Sequence, residues 1–185
     1  MKLLLYVFIN ENPLLVGLTP TLSTIYKENY MLYEVKGDIV KDTQYTIFCH
    51  QVNCKGVMGA GLAKQIRERY PSVYEDYIRE CNSGYWLLGS KICTSTADGR
   101  ICVSMFAQDD YGHDKCYTDY KAFQIILDGL QGELQMFEAN NPNPYKIAFP
   151  KGIGCGLAGG DWNIIKPMIE KFAENVPNDV YIVSI

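Results

Sequence analysis

The chain has 185 residues, of which 48% are hydrophobic and 21% charged, with a formal net charge of −4. That length fits one globular domain of roughly 100–200 residues, and the apolar share supports a single packed core, which excludes a disordered chain. The acidic balance excludes a broad nucleic-acid-binding surface, which needs a basic face, while leaving room for a local basic cleft that reads phosphates.

The N-terminus opens with Met1-Lys2 and a short apolar run that is too short to span a bilayer. Asn10-Glu11-Asn12-Pro13 follows without a small-residue cleavage pattern. Residues 1–30 are therefore expected to be an extension or an extra strand, with Met31 as an alternative start and 31–185 as the domain. Residues 31–36 alternate as a short strand that ends at Gly37-Asp38, and 45–52 read as a buried strand rich in β-formers. A glycine-rich turn at 56–61 leads into a helix over 62–69, stopped by Tyr70-Pro71. Ser72 is placed to cap a second helix that runs to about residue 81.

Two strands, 86–94 and 100–106, are expected on either side of the turn Ala97-Asp98-Gly99. Residues 118–137 have helical spacing, with Tyr120, Phe123, Ile126, Leu127 and Leu130 along one face. A strand at 145–149 precedes a second glycine-rich loop at 152–160. Asp161 can cap a helix over 162–174, and 180–185 close as a strand. Strands alternating with helices predict an α/β fold, with helices on both faces of a mixed, largely buried sheet.

Seven cysteines form no C-x-x-C pair and sit mostly in apolar runs. Buried, reduced thiols in a cytoplasmic protein are the favoured reading, ahead of disulfides or zinc. With only two histidines, His50 and His113, a histidine-rich metal site is not expected. No metal, no cofactor and no membrane partner is expected, and the protein is read as a monomer.

The chemistry concentrates in two loops with one layout: buried strand, glycine-rich turn, helix. The first, 52–66, reads VNCKGVMGAGLAKQI and the second, 149–162, reads FPKGIGCGLAGGDW. Glycine lets a ligand approach the main chain closely, successive amides make an anion-binding nest, and the following helix adds its positive end. Two such loops on adjacent strands could grip a diphosphate from both sides. The absence of G-K-[ST] excludes a P-loop, and Gly56-Val57-Met58-Gly59-Ala60-Gly61 has the wrong spacing for G-x-G-x-x-G.

Taken in order, Val35-Lys36-Gly37-Asp38-Ile39, HQVNCKGVMGAGLAKQI and GIGCGLAGGDW resemble a macrodomain. The subgroup most resembled contains terminal ADP-ribose glycohydrolases, antitoxin macrodomains that reverse DNA ADP-ribosylation, and the yeast-type ADP-ribose 1″-phosphate phosphatase. The resemblance covers 31–185 and implies a three-layer α/β/α fold around a mixed central sheet. Its implied partner is ADP-ribose, or a protein or DNA that carries it. By resemblance, Asp38 accepts a hydrogen bond from the adenine amino group, Ile39 adds a backbone contact, and Asn53 lies near the distal ribose. Gly59, Ala60 and Gly61 match the first phosphate loop. Gly152, Gly154, Cys155, Gly156 and Leu157 belong to the second, with the Cys155 amide read as functional and its thiol as incidental. Phe106 falls where the family packs beside the ligand, or is a plain core phenylalanine.

Departures from the family concern catalysis. Glycohydrolases of this subgroup use a lysine after the fourth strand, where this chain has Gln108 or Asp109, and an acid after G-C-G-L, where it has Ala158. Neither Gln108 nor Asp109 can form a Schiff base. The lysine mechanism is therefore not expected unless Lys115 or Lys151 reaches in. Asp109, Asp110, His113 and Asp114 could instead activate water, or form a solvated loop. His50 and Asn53 have the spacing of the phosphatase motif, although strand alternation would put them on opposite faces. The catalytic candidates are thus Asn53, His50, Asp161 and Asp109. The expected function is binding of ADP-ribose with hydrolysis of a derivative, and the alternative is a non-catalytic reader.

Overall fold

A computed structural model describes residues 32–112, 114–138 and 145–184. The expected N-terminal extension and His113 lie outside these residues. In chain order the elements are β1 (Leu32–Lys36), β2 (Ile47–Asn53), α1 (Gly61–Arg69), α2 (Pro71–Cys81), β3 (Lys91–Ser95), β4 (Ile101–Gln108), α3 (Tyr120–Glu138), β5 (Lys146–Pro150), α4 (Trp162–Asn175) and β6 (Asp179–Ser184). The strands make one six-stranded sheet in the order β1-β6-β5-β2-β4-β3. All pairings are parallel except β3 with β4, which makes the sheet mixed.

The sheet is buried on both faces because its inner strands are mostly apolar, as parallel strands covered by crossover helices tend to be. Alternation along β2 and β4 sends Phe48, Val52, Cys102 and Phe106 toward Ile66, Val73 and Tyr77 of α1 and α2. It sends Ile47, Cys49, Val103 and Met105 toward Phe123, Leu127, Ile165 and Ile169 of α3 and α4. The result is three layers with a core on each side of the sheet. The parallel strands all end at one edge, so the segments after β1, β2, β4 and β5 gather there, where open α/β sheets hold ligands.

Three expectations need correction. The second helix is not capped by Ser72: Pro71 occupies its first turn and Tyr70 its N-cap, since a proline lacks the N–H that this position leaves unpaired. The strand expected from residue 86 starts at Lys91. Gly84 and Gly89 take positive φ of 78° and 86°, Ser90 N–H closes a turn on the Leu87 carbonyl, and Tyr85 and Trp86 are exposed. Finally, α3 starts at Tyr120 because Thr118 is bridged to Gln108 and the Asp119 carboxylate accepts from Ala122 N–H at 2.8 Å.

All seven cysteines are free, with Cys49 and Cys102 buried and Cys116 exposed. No helix among the described residues is long and apolar enough to cross a membrane.

Candidate functional site

A cavity of about 560 Å³ opens at the C-terminal ends of β2, β4 and β5, between the two glycine loops. Its walls include Asn53, Gly59, Ala60 and Gly61 on one side and Gly152, Gly154, Gly156 and Leu157 on the other. The size falls within the range usual for small-molecule sites.

A single side chain shapes the first loop. Asn53 ends β2, where the pairing with β4 slips by one residue after Val52. The Asn53 side chain points toward α2, where it meets Tyr77. Asn53 Oδ1 accepts from Lys55 N–H at 2.9 Å, Val57 N–H at 3.2 Å and the Tyr77 hydroxyl at 2.8 Å. Its Nδ2 donates to the Val57 carbonyl at 2.7 Å. Burial pushes the Tyr77 phenol far above its ordinary value, so it stays a donor. Helix α1 then starts at Gly61, with φ of 57°, and has no side-chain cap at Ala60. The N-terminal residues Gly61, Leu62 and Ala63 line the cavity, and their amides are those a helix leaves without an intrahelical partner.

Loop two is built from its own main chain. Cys155 N–H bonds the Gly152 carbonyl at 2.8 Å, Gly159 N–H bonds Gly156 at 3.0 Å, and Gly160 N–H bonds Gly154 at 2.9 Å. Gly152 and Gly154 take φ of 75° and 74°. A Cβ on Gly154 would lie 2.5 Å from Gln51 Oε1, so both backbone and space require glycine there. Helix α4 is closed by Asp161, whose carboxylate accepts from Asn163 N–H at 2.8 Å.

The turn after β1 sits two strands from β5, about 10 Å away at ordinary strand spacing. The Asp38 carboxylate accepts from Val40 N–H at 3.0 Å and pairs with Lys41 at 2.9 Å. That Lys41 contact and the turn's amides lower its pKa against the opposing cost of burial. Arg100, almost fully buried, fixes the same turn by donating to the Ile39, Val40 and Asp42 carbonyls at 3.1, 2.8 and 2.9 Å. Neither Asp38 nor Ile39 lines the cavity.

Several candidates take the structural places that the sequence left open for them. Phe106 is wholly buried and stacks on Tyr77 with ring centroids 5.7 Å apart, because alternation along β4 points it into the α2 layer and away from the cleft. His50 lies in the cavity floor but is only 1% exposed. Its Nε2 lies 2.8 Å from the Ser104 hydroxyl, and burial lowers its pKa to about 3, so it is a neutral structural group with no open path to a ligand. The Cys155 amide is spent inside its own loop, and Cys155 does not line the cavity. Asp161 caps α4 and is not among the lining residues. Asp109 is exposed and pairs with Lys55 at 3.3 Å, an exposed contact of small energy.

The ionisable side chains lining the cavity are His50, Tyr111 and Lys151, with no carboxylate among the described residues. Gln108, one of the two residues expected at the lysine position, ends β4 with its side chain engaged by Gln51 and by the Asp110 carbonyl. Ala158, at the position of the acid, offers no proton-transfer group. Among the described residues no cluster of three or more His, Cys, Asp or Glu could hold a metal ion. Tyr77, Gln51, Thr118 and Arg100 were not candidates from sequence. The one local signal was for Tyr77, a phenol on the apolar stripe of a helix, which needs a buried partner.

No family model matches the chain. It is 29% identical over 170 residues to the ADP-ribose 1″-phosphate phosphatase of Saccharomyces cerevisiae, covering 80% of this chain and 96% of that protein. It is 36% identical over 146 residues to a DNA ADP-ribosyl glycohydrolase of Mycobacterium tuberculosis, covering 77% of this chain and 38% of the relative's length. The solved macrodomain of Mycobacterium tuberculosis DarG superposes with a TM-score of 0.68 at 21% identity, covering 83% of this chain and 97% of that one.

Proposed function

This chain belongs to the macrodomain family, and we propose that it binds ADP-ribose and hydrolyses a derivative of it at the distal ribose. The observation that carries the reading is the cavity between two glycine loops, with the uncapped N-terminus of α1 open to it. Backbone amides and the helix dipole at that point favour an anion, and a diphosphate fits between the loops. The adenine extends toward the Asp38–Ile39 turn, and the distal ribose lies toward Asn53, Gln108 and Tyr111.

ADP-ribose 1″-phosphate is the first candidate substrate. The phosphatase relative matches over nearly its whole length, and no carboxylate lines the cavity among the described residues, although Lys151 does. Asn53 orients the distal ribose or the attacking water, and Lys151 and the loop amides hold phosphate charge. Incubating the protein with ADP-ribose 1″-phosphate, ADP-ribosylated DNA and ADP-ribosylated protein tests the activity. Release of phosphate or ADP-ribose from one of them is expected, and no turnover of any removes the hydrolase reading.

One observation favours a second reading. The absence of a carboxylate from the described lining suits a reader that binds ADP-ribose without cleaving it. Calorimetric binding with no turnover of the three substrates would select it. We also read the protein as cytoplasmic and monomeric, which the free thiols support for the compartment. Sedimentation at micromolar protein tests the oligomeric state.

A further inference from the structure

At the base of the cavity a chain of partly buried side chains joins its two rims. Gln51 Nε2 donates to Gln108 Oε1 at 2.9 Å and to the Thr118 hydroxyl oxygen at 3.0 Å. Gln108 Nε2 donates to the Asp110 carbonyl at 2.9 Å, next to Tyr111 on the cavity wall. The Thr118 hydroxyl donates to the Gly154 carbonyl at 2.7 Å, on the opposite wall. The main chain beside it reinforces the link, since Tyr117 and Thr118 N–H both bond the Ala158 carbonyl, at 2.7 and 3.2 Å.

The donor directions in this chain are fixed. Both Nε2 hydrogens of Gln51 are spent, so turning its amide over would set its oxygen against the Gln108 oxygen. Gln51 Oε1 is left fully covered without a donor among the described residues, at the place a Gly154 side chain would fill. A buried acceptor left unpaired is uncommon and marks a geometry held by the rest of its group. Thr118 is equally committed: it accepts from Gln51 and gives its only proton to Gly154.

We propose that Gln51 and Thr118 are positioning residues: their relay sets the second glycine loop against the β4–α3 segment and holds Gly154 and its neighbours in the ligand-binding shape. The proposal deepens the ADP-ribose reading and rests on it for the ligand. Thr118 does not line the cavity, and Gln51, which does, has both amide hydrogens committed to Gln108 and Thr118. Their effect passes through the loop, so it acts on the phosphate wall and the distal wall together.

Thr118→Val removes the hydroxyl at nearly constant shape and Thr118→Ser keeps it, while Gln51→Met removes the donors at similar length. ADP-ribose affinity is read by calorimetry, and amide hydrogen exchange of residues 152–160 is read in the ligand-free protein. Thr118→Val and Gln51→Met are each expected to weaken binding about 10-fold or more and to speed exchange in the loop. Thr118→Ser is expected to stay within about 3-fold of the parent, and the double variant within about 3-fold of the worse single one, as members of one network do. Parent-like binding and exchange in Thr118→Val and Gln51→Met would overturn the proposal, as would a serine variant as damaged as the valine one. Should Thr118→Val fail to fold, Thr118→Ser and Gln51→Met still carry opposite expectations. If the parent protein itself fails to bind ADP-ribose, the functional reading falls, while loop exchange still decides the relay.

Discussion

Helices α1 and α4 each follow a glycine-rich loop at the same edge of the sheet, yet they begin differently. At α1 the N-cap is Ala60, with no side-chain bond, and the residues of the first turn face the cavity. At α4 the N-cap is Asp161, which satisfies Asn163 N–H and adds a negative charge at the helix start. A capped helix end has a smaller need of a ligand anion, and an uncapped one facing a cleft has a larger need. The loops differ in step. The first is braced by Asn53, which takes the Lys55 and Val57 amides and the Tyr77 hydroxyl, whereas the second is closed by its own main chain through the amides of Cys155, Gly159 and Gly160. The uncapped start of α1, facing the cavity, is therefore the expected partner of an anion, with the second loop as the facing wall.

Changing the wall should do most. Gly154→Ala forces a side chain into a φ of 74° and into contact with Gln51. It is expected to abolish measurable ADP-ribose binding in calorimetry and to cost about 1–3 kcal/mol in a denaturant melt from the backbone alone. Asn53→Ala comes next. It strips the Val57 amide and the Tyr77 hydroxyl of an acceptor, with an expected stability loss of about 2–3 kcal/mol and weakened binding. Tyr77→Phe should reproduce only part of that loss.

His50 supplies a test through pH. Its folded pKa of about 3 lies below the ordinary 6.5, so between those values the unfolded chain takes up the proton first. Its contribution is complete above pH 6.5 and falls as pH drops toward 3, by up to about 1.4 kcal/mol per pH unit. His50→Gln should flatten that part of the stability–pH curve measured by denaturant melts.

Exchanging the caps has the smallest effect and separates the two helices most cleanly. Ala60→Asp should stabilise the fold by about 0.5–1 kcal/mol while weakening ADP-ribose binding, because the new carboxylate takes the amides and repels the anion. Asp161→Ala should cost about 1 kcal/mol of stability and leave ADP-ribose affinity within about 3-fold. If the binding effects came out reversed, the anion would belong to α4.

Much of this was legible from residues that act locally. The β-forming run before Asn53, the glycines at 59–61 and 152–160, and Asp161 ahead of an apolar periodic stretch all declare themselves within a few positions. What failed depends on distance or on register. Gln51 finds Gln108 and Thr118 at separations of 57 and 67 residues, which no local pattern encodes. Arg100 reaches the turn after β1 from about 60 residues away. Asn53, the last residue of β2, turns toward Tyr77 on α2, 24 residues away, which strict alternation does not predict. The Cys155 amide bonds Gly152 instead of facing a ligand, since a glycine-rich loop can aim its N–H groups inward at itself as readily as outward.

The most direct measurement is a titration of amide chemical shifts with ADP-ribose. The account predicts saturable changes at residues 59–63 and 152–158, with smaller ones at Asp38 and Ile39. If these amides were unmoved at millimolar ligand, the cleft between the loops would not be an ADP-ribose site.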